Sequence, residues 1–523
     1  MLNNKLNFWF CIQIYQKYGR VLIYRISLRL MSNLNKKVVV IGSGFAGLCA
    51  AGTLAKQGFK VLLIEKNDQI GGRARIWKEK GFTFDMGPSW YWMPEVFENY
   101  YQQFGKKASD FYHLKRLSPS YRIYFGKNDQ VDVPSDYQSL RNLFEEIEPG
   151  SGDKLFRFLK DAKYKYETGM NDFVWRPSNS ITEFFELRIV KALFKMNLFG
   201  SVSAEVRNLF KHPKLRKLLE FPVLFLGATP QNTPGLYSLM NYADLVLGTW
   251  YPMGGMNEIV KAMEQIALEQ GVEIHVNEEV RSIEHQQHKI TKVITSKSSY
   301  EVDGVIAAAD YAHVDKEILT KEFSNYSLTE WDKKTMSPSS LLFYVGINKR
   351  LKNILHHNLF FDEDFEQHAK EIYTEPQWPS KPLFYVCCPS LLDRSTAPEG
   401  HENLFFLIPL APGLQDSEAE REKYFEMMLD RLEKYSGEEI RNHLVVKRSY
   451  AMNDFVKDYH SYKGNAYGLA NTLLQTAFLK PKMKSKRLKN LYYAGQLTVP
   501  GPGVPPAIIS GQLAAMELSK SLQ

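Results

Sequence analysis

An α/β fold whose first unit binds a dinucleotide is predicted by three features of the stretch Lys37–Arg73. Val38–Ile41 is a short, wholly apolar run, as expected of a parallel strand covered on both faces. Gly42, Gly44 and Gly47 follow at G-x-G-x-x-G spacing, opening a helical stretch, Ala46–Gln57, that Gly58 ends. A second strand, Lys60–Ile64, then delivers Glu65 at about the distance where a carboxylate meets a ribose hydroxyl. Gly42 serves the tight turn, Gly44 lets backbone N–H groups approach a pyrophosphate, and Gly47 lets helix and strand pack closely. The helix N-terminus adds positive potential under the phosphates. The bland alternative, a glycine turn in a helical hairpin, does not account for the acid after the second strand.

The next segment, IEKNDQIGGRAR, resembles the second half of the FAD signature of glutathione-reductase-like flavoproteins. The resemblance implies FAD rather than NAD, with Glu65 on the adenosine ribose and Gly71, Gly72 and Arg73 near the pyrophosphate. Arginine suits that place because its planar fork matches phosphate oxygens and keeps its charge. Ser43, Phe45 and Ala46 in the turn, and Lys66 beside the acid, complete the cofactor-binding set expected here.

Further along, residues 134–250 are mostly helical by pattern, with loops at Pro149-Gly150 and Thr229–Pro234. Met256, Ile259, Val260, Met263, Ile266 and Ala267 recur at helical spacing, and Gly271 ends that helix. Val272–Val276 follows as a strand, and EEVRSI, KITKVIT and YEVDGVIAAAD supply more. Residues 311–489 mix strands (Ser340–Ile347, Leu404–Ile408) with helices such as Ser417–Tyr435. The chain closes with the strand LYYAG, a Gly/Pro loop and a helix begun at Pro505-Pro506, where proline suits a first turn.

Three longer strings resemble the carotenoid desaturases, of the bacterial phytoene desaturase type: GFTFDMGPSWYWMP (Gly81–Pro94), the segment Phe221–Ile259, and NLYYAGQLTVPGPGVPPAIISG (Asn490–Gly511). The resemblance runs from about Lys36 to the end. One departure is visible: Val499 stands before Pro500-Gly501 where many members have histidine. The resemblance implies a Rossmann-like, glutathione-reductase-like FAD-binding domain assembled from discontinuous segments (36–133, 251–310 and 490–523). It also implies an α+β substrate domain (134–250 and 311–489) with a mixed sheet and a helical membrane-facing part. Gly87, Pro88, Ser89, Gly495, Gly503 and Val504 are expected beside the flavin, and Val280 is expected to meet adenine through its backbone. Trp90, Tyr91, Trp92, Phe225, Trp250 and Tyr251 are expected to line the substrate tunnel.

Composition agrees with a globular protein of two or three domains: 523 residues, 44% hydrophobic and 24% charged. The net charge of +8 is concentrated in the leader, where Lys5, Lys17, Arg20, Arg25 and Arg29 meet no acid. The remainder is near neutral, which argues against nucleic acid as a partner. Residues 1–35 are a basic extension without a long apolar core or a cleavage site, so a secretory signal is not expected. A basic amphipathic anchor or a transit-like segment remains open. Met31 is the expected natural start, because MSNLNKK leads into the first strand within a few residues. Cys11, Cys49, Cys387 and Cys388 form no spaced framework, zinc motif or C-x-x-C pair, so no metal site is expected and a reducing cytoplasm fits. No apolar run is long enough to span a bilayer. Ile181–Gly200, with Arg188, Lys191 and Lys195 among its apolar residues, and the basic run Lys480–Lys489 are the candidates for contact with a membrane surface. The expected location is therefore the cytoplasmic face of the cell membrane, peripherally bound.

No acid–base pair announces itself; Asp85, Asp244 and Tyr251 are the candidates for a catalytic group. Hydride loss from an allylic carbon leaves a delocalised cation that gives up its second proton readily, so a strong base is not required. No second G-x-G-x-x-G unit exists for a nicotinamide, leaving a membrane quinone or oxygen as electron acceptor. The resemblance thus implies an FAD enzyme taking phytoene through successive desaturations towards lycopene. Alternatives are another carotenoid dehydrogenase, oxidase or isomerase, or a flavin-free prenyl-lipid escort of the GDP-dissociation-inhibitor type. The intact Gly42, Gly44, Gly47, Glu65 and Arg73 argue against the escort. An amine oxidase would be expected to carry that family's Cys-linked flavin or aromatic cage, and the C-terminal string has no cysteine.

Overall fold

The computed structural model describes residues 33–178, 180 and 196–523. The basic leader to residue 32 and most of the apolar segment 181–200 lie outside the described residues, as does the side chain of Phe225. A five-stranded sheet in the order Leu491–Tyr493, Gly304–Ala307, Lys37–Ile41, Lys60–Ile64, Glu273–His275 is parallel throughout. Its strands come from three separated stretches of chain. The central strand is buried on both faces, which is why it reads as an unbroken apolar run. Val38 and Val40 pack with the helices Phe45–Lys56, Asn257–Glu269 and Val504–Leu522. Val39 and Ile41 alternate to the other face, against Val293, Val305 and Tyr311.

Close approach of the two long helices depends on glycine. A Cβ at Gly511 would lie 2.2 Å from the carbonyl oxygen of Ala46. Gly47 plays the same part at the turn, where an added Cβ would sit 1.9 Å from the Gly42 carbonyl oxygen.

The second layer is a seven-stranded mixed sheet in the order Leu444–Tyr450, Ser339–Ile347, Glu402–Leu410, Phe384–Cys387, His357–Phe360, Tyr121–Gly126, Asp129–Val133. All pairs are antiparallel except His357–Phe360 with Tyr121–Gly126. Residues 121–133, read from sequence with the first cofactor-side piece, thus supply two strands at the edge of this sheet. Ser339–Ile347 is buried along its whole length. Leu341, Phe343 and Val345 meet Phe425, Met428 and Leu429 of the helix Glu418–Ser436, and Leu342 and Tyr344 face the opposite way. That helix starts where the Ser417 hydroxyl accepts the Glu420 N–H and stops at Gly437 in the left-handed region, φ 69°. The helices Tyr137–Ile147, Ser151–Thr168, Val202–Leu209 and Pro213–Glu220 form the helical part. Among the described residues no helix is long and apolar enough to cross a membrane.

Candidate active site

A cavity of about 410 Å³ opens at the carboxyl ends of the parallel strands, where Ile41, Ile64, Ala308 and Ala494 line it. This is where ligands bind in open parallel sheets. One end is polar. The Ser43 N–H and hydroxyl donate to Glu65 Oε2 at 3.0 and 2.6 Å. The backbone and side-chain amides of Asn67 donate to Oε1 at 2.9 and 3.0 Å. The acid therefore holds the glycine turn and the segment after the second strand together. Its acceptor positions are filled, so an incoming ribose hydroxyl takes over one of these bonds.

Arg73 reaches across the cavity wall. Its terminal nitrogen donates to Ser461 Oγ at 2.5 Å and to the Asn465 carbonyl at 3.3 Å, and its guanidinium lies 5.0 Å from the centre of the Tyr459 ring. Its Nε is out of solvent and has no hydrogen-bond partner among the described residues. Arg75 pairs with Asp458 beside it. Asp310, at the end of the strand Gly304–Ala307, accepts the N–H groups of His313 and Tyr462 at 3.2 and 3.3 Å. Burial pushes its carboxyl up to about 6, against the pull of Arg73. His313 and His460 stack at 3.9 Å, and burial takes His313 down to about 3, so it is neutral.

The other end is apolar and aromatic. Trp90, Trp92, Met240, Leu342, Leu407 and Phe455 line it, facing the loop Gly495–Thr498 and Pro502–Ala507. Trp90 and Trp92 pack at 5.2 Å, and the Trp92 indole N–H donates to Thr249 Oγ1 at 2.9 Å. The Tyr385 hydroxyl donates to Ser89 Oγ at 3.0 Å.

Gly42, Ser43, Gly44, Phe45, Ala46, Glu65, Lys66, Gly71, Gly72, Arg73, Gly87, Pro88, Ser89, Val280, Gly495, Gly503 and Val504 all line the cavity. Gly47 lies behind the turn. Of the expected tunnel residues, Trp90 and Trp92 face the cavity. Tyr91, between them in an extended stretch, points the opposite way, stacks on Phe97 at 4.2 Å and meets the Tyr112 hydroxyl at 3.0 Å. Trp250 bridges to Tyr91 and donates its indole N–H to the Leu247 carbonyl.

Asp85, Asp244 and Tyr251 lie outside the cavity. Asp85 accepts the N–H groups of Met256 and Asn257 at 2.8 and 3.1 Å, capping the helix Asn257–Glu269, and burial raises its carboxyl to about 6. Asp244 is buried, accepts hydrogen bonds from the Tyr121 and Thr249 hydroxyls at 2.7 and 3.2 Å, and is raised by burial to about 7. Both satisfy structural donors. Tyr251 lines a separate small void with Asp85 and Cys387. Sequence reasoning missed Asp310, Tyr385, Tyr459 and His460. Only Asp310 carried a signal, as an acid ending an apolar strand.

A dinucleotide fits this cavity. A Cβ at Gly44 would meet nothing within 4 Å, so the turn backbone is open to a ligand. Arg73, with its unpartnered buried Nε, and the buried acid Glu65 line the same cavity. The fold and cavity therefore define a dinucleotide-type site at the carboxyl ends of a parallel sheet.

Comparison with known proteins supplies the family. A model for flavin-containing amine oxidoreductases matches residues 45–519. The carotenoid 3,4-desaturase of Haloarcula japonica is 39% identical over 494 residues, 94% of this chain and 100% of that protein. The 4,4'-diapophytoene desaturase of Staphylococcus aureus is 30% identical over 503 residues, 93% and 99% of the two chains. An oxidoreductase from Methanosarcina mazei has the same fold, with a TM-score of 0.62 at 18% identity, covering 91% of this chain and 98% of that one. The chain belongs to the carotenoid desaturase family of FAD-dependent oxidoreductases, within the wider flavin-containing amine oxidoreductases. It is an enzyme acting on carotenoid CH–CH bonds, and its cofactor is FAD.

Proposed function

We propose that the enzyme dehydrogenates a linear carotenoid, taking phytoene through successive steps towards lycopene. The observation that carries this reading is the continuity of one cavity from the polar Glu65–Arg73 end to the Trp90–Trp92–Leu407 end. A long hydrocarbon can thus lie against the reactive ring of a cofactor anchored at the other end. Bound FAD supplies the hydride acceptor. In the glutathione-reductase-like pose, Glu65 takes the adenosine ribose, the Gly42–Ala46 turn and Arg73 hold the pyrophosphate, and Val280 offers its backbone to adenine. Gly87–Ser89, Gly495, Gly503 and Val504 border the ring. The aromatic end orients the polyene and excludes water.

A second reading is 3,4-desaturation of a later carotenoid, favoured by the 39% identity to an enzyme of that name along the full length of both chains. Expression in phytoene-accumulating and in lycopene-accumulating cells separates the two. Lycopene formed from phytoene supports the first. No change in the phytoene cells together with a new product in the lycopene cells supports the second.

The membrane surface fits as the source of so apolar a substrate. Leu473, Leu474 and Leu479 are exposed in one short segment, directly before Lys484, Lys486, Arg487 and Lys489, which are exposed as well. Peripheral attachment at the cytoplasmic face, with a quinone or oxygen accepting the electrons, completes the proposal. Sedimentation with anionic vesicles tests the attachment, and reoxidation of reduced enzyme by quinone against oxygen tests the acceptor.

A further inference from the structure

His356, His357 and Cys387 converge behind the aromatic wall of the cavity, with one ligand atom from each lying within 4.8 Å of the others. The two histidines are neighbours in sequence, and Cys387 comes 30 residues later. His357 and Cys387 face each other as register partners on adjacent antiparallel strands, and His356 precedes the first of these. His357 and Cys387 are 0% and 1% exposed and His356 is 8% exposed. Both ring nitrogens of His356, and Nε2 of His357, have no hydrogen-bond partner among the described residues. Burying such groups unpaired costs free energy that a ligand would offset. Nδ1 of His357 is 2.6 Å from the Tyr385 hydroxyl, which fixes the ring and leaves Nε2 directed elsewhere. A metal-bound histidine characteristically has such a partner on its other nitrogen. Cys387 also borders a void of about 20 Å³, shared with Tyr251 and Asp85, that is large enough for one water.

We propose that His356, His357 and Cys387 bind a divalent transition metal of the zinc class, with a fourth position open to a water in the adjoining void. Two imidazoles and one thiolate are a soft-to-borderline ligand set. Tetrahedral coordination needs ligand atoms about 3.5 Å apart, so His356 and Cys387 would have to close on the His357 ring as the ion binds. On binding, the Cys387 thiol forms its sulfur–metal bond and releases its proton to solvent. The His357 ring is stacked on Trp90 at 4.1 Å and 7° between planes. The ion would therefore brace a side chain that lines the cavity, in a positioning role independent of the phytoene assignment.

The test is metal analysis of the full-length, flavin-loaded protein, purified reduced and without chelator, then equilibrated with Zn2+ or Co2+ and desalted. About one ion per chain is expected to be retained. The cobalt form should show tetrahedral d–d bands in the red, beyond the flavin absorption. Cys387→Ser and His356→Asn should each abolish the bands, and Tyr385→Phe should weaken affinity about 10- to 100-fold. Wild-type protein that retains no metal and shows no such bands overturns the proposal, as do bands unchanged in both ligand variants. If neither variant folds, the wild-type measurement decides alone.

Discussion

Two neighbouring glycines in one turn should separate folding from cofactor binding. At Gly47 an added Cβ would sit 1.9 Å from the Gly42 carbonyl oxygen, where a carbon–oxygen contact normally needs about 3.3 Å. The obstacle is backbone, so the helix Phe45–Lys56 or the turn itself must move by more than about 1 Å. That exceeds ordinary overpacking, and Gly47→Ala should cost at least about 3 kcal/mol of stability. Gly44 is different. Its φ of −66° and ψ of 177° suit any residue, and a Cβ there meets nothing within 4 Å. Gly44→Ala should leave the apoprotein as stable as before, or more so by about 0.4–1 kcal/mol through the unfolded state. The new methyl projects into the cavity where the pyrophosphate approaches. A clash of about 1–3 kcal/mol there raises the FAD dissociation constant about 5- to 150-fold. Urea denaturation of the apo forms and fluorescence titration with FAD measure the two quantities. A Gly44→Ala protein that binds FAD as tightly as wild type would falsify the proposed pyrophosphate position. A fully stable Gly47→Ala protein would contradict the packing argument.

Glu65→Ala removes the proposed acceptor of the adenosine ribose hydroxyl and should weaken FAD binding by about 1–3 kcal/mol, with Glu65→Gln milder; equilibrium dialysis measures both, and unchanged retention refutes the ribose role. Asp244 has its pKa raised by burial from 3.8 to about 7, so its contribution to stability is fully present below pH 3.8 and declines as pH rises through 7. Asp244→Asn should remove that decline, worth about 3 kcal/mol between pH 5 and pH 8, from unfolding free energies measured at the two pH values; an equal change in both proteins would count against the assignment. Trp90→Leu should keep bound flavin at the wild-type level while carotenoid conversion falls, because Trp90 lies at the apolar end of the cavity. Chromatography of the products beside the flavin spectrum checks this, and equal losses of flavin and product would place Trp90 in cofactor binding instead.

The local grammar of the chain carried the parallel sheet. A buried central strand must be apolar on both faces, a phosphate-binding turn must be open at Gly44 and close-packed at Gly47, and an acid must follow the second strand. Each of these is a short-range demand, so residues 37–73 display them in order. The C-terminal string was legible for the same reason: Gly511 meets the first helix so closely that no other residue fits. What tertiary structure alone decided was direction and company. Trp90, Tyr91 and Trp92 are one aromatic run in sequence, but an extended backbone sends the middle ring into the core and its neighbours into the cavity. Asp85 and Asp244 looked like reactive carboxylates until a helix N-terminus and two hydroxyls claimed them. The partners of Arg73, and the meeting of His356 and His357 with Cys387, arise where distant strands and helices come together. Sequence periodicity has no term for such contacts, because they are fixed by which faces pack and not by what lies next along the chain.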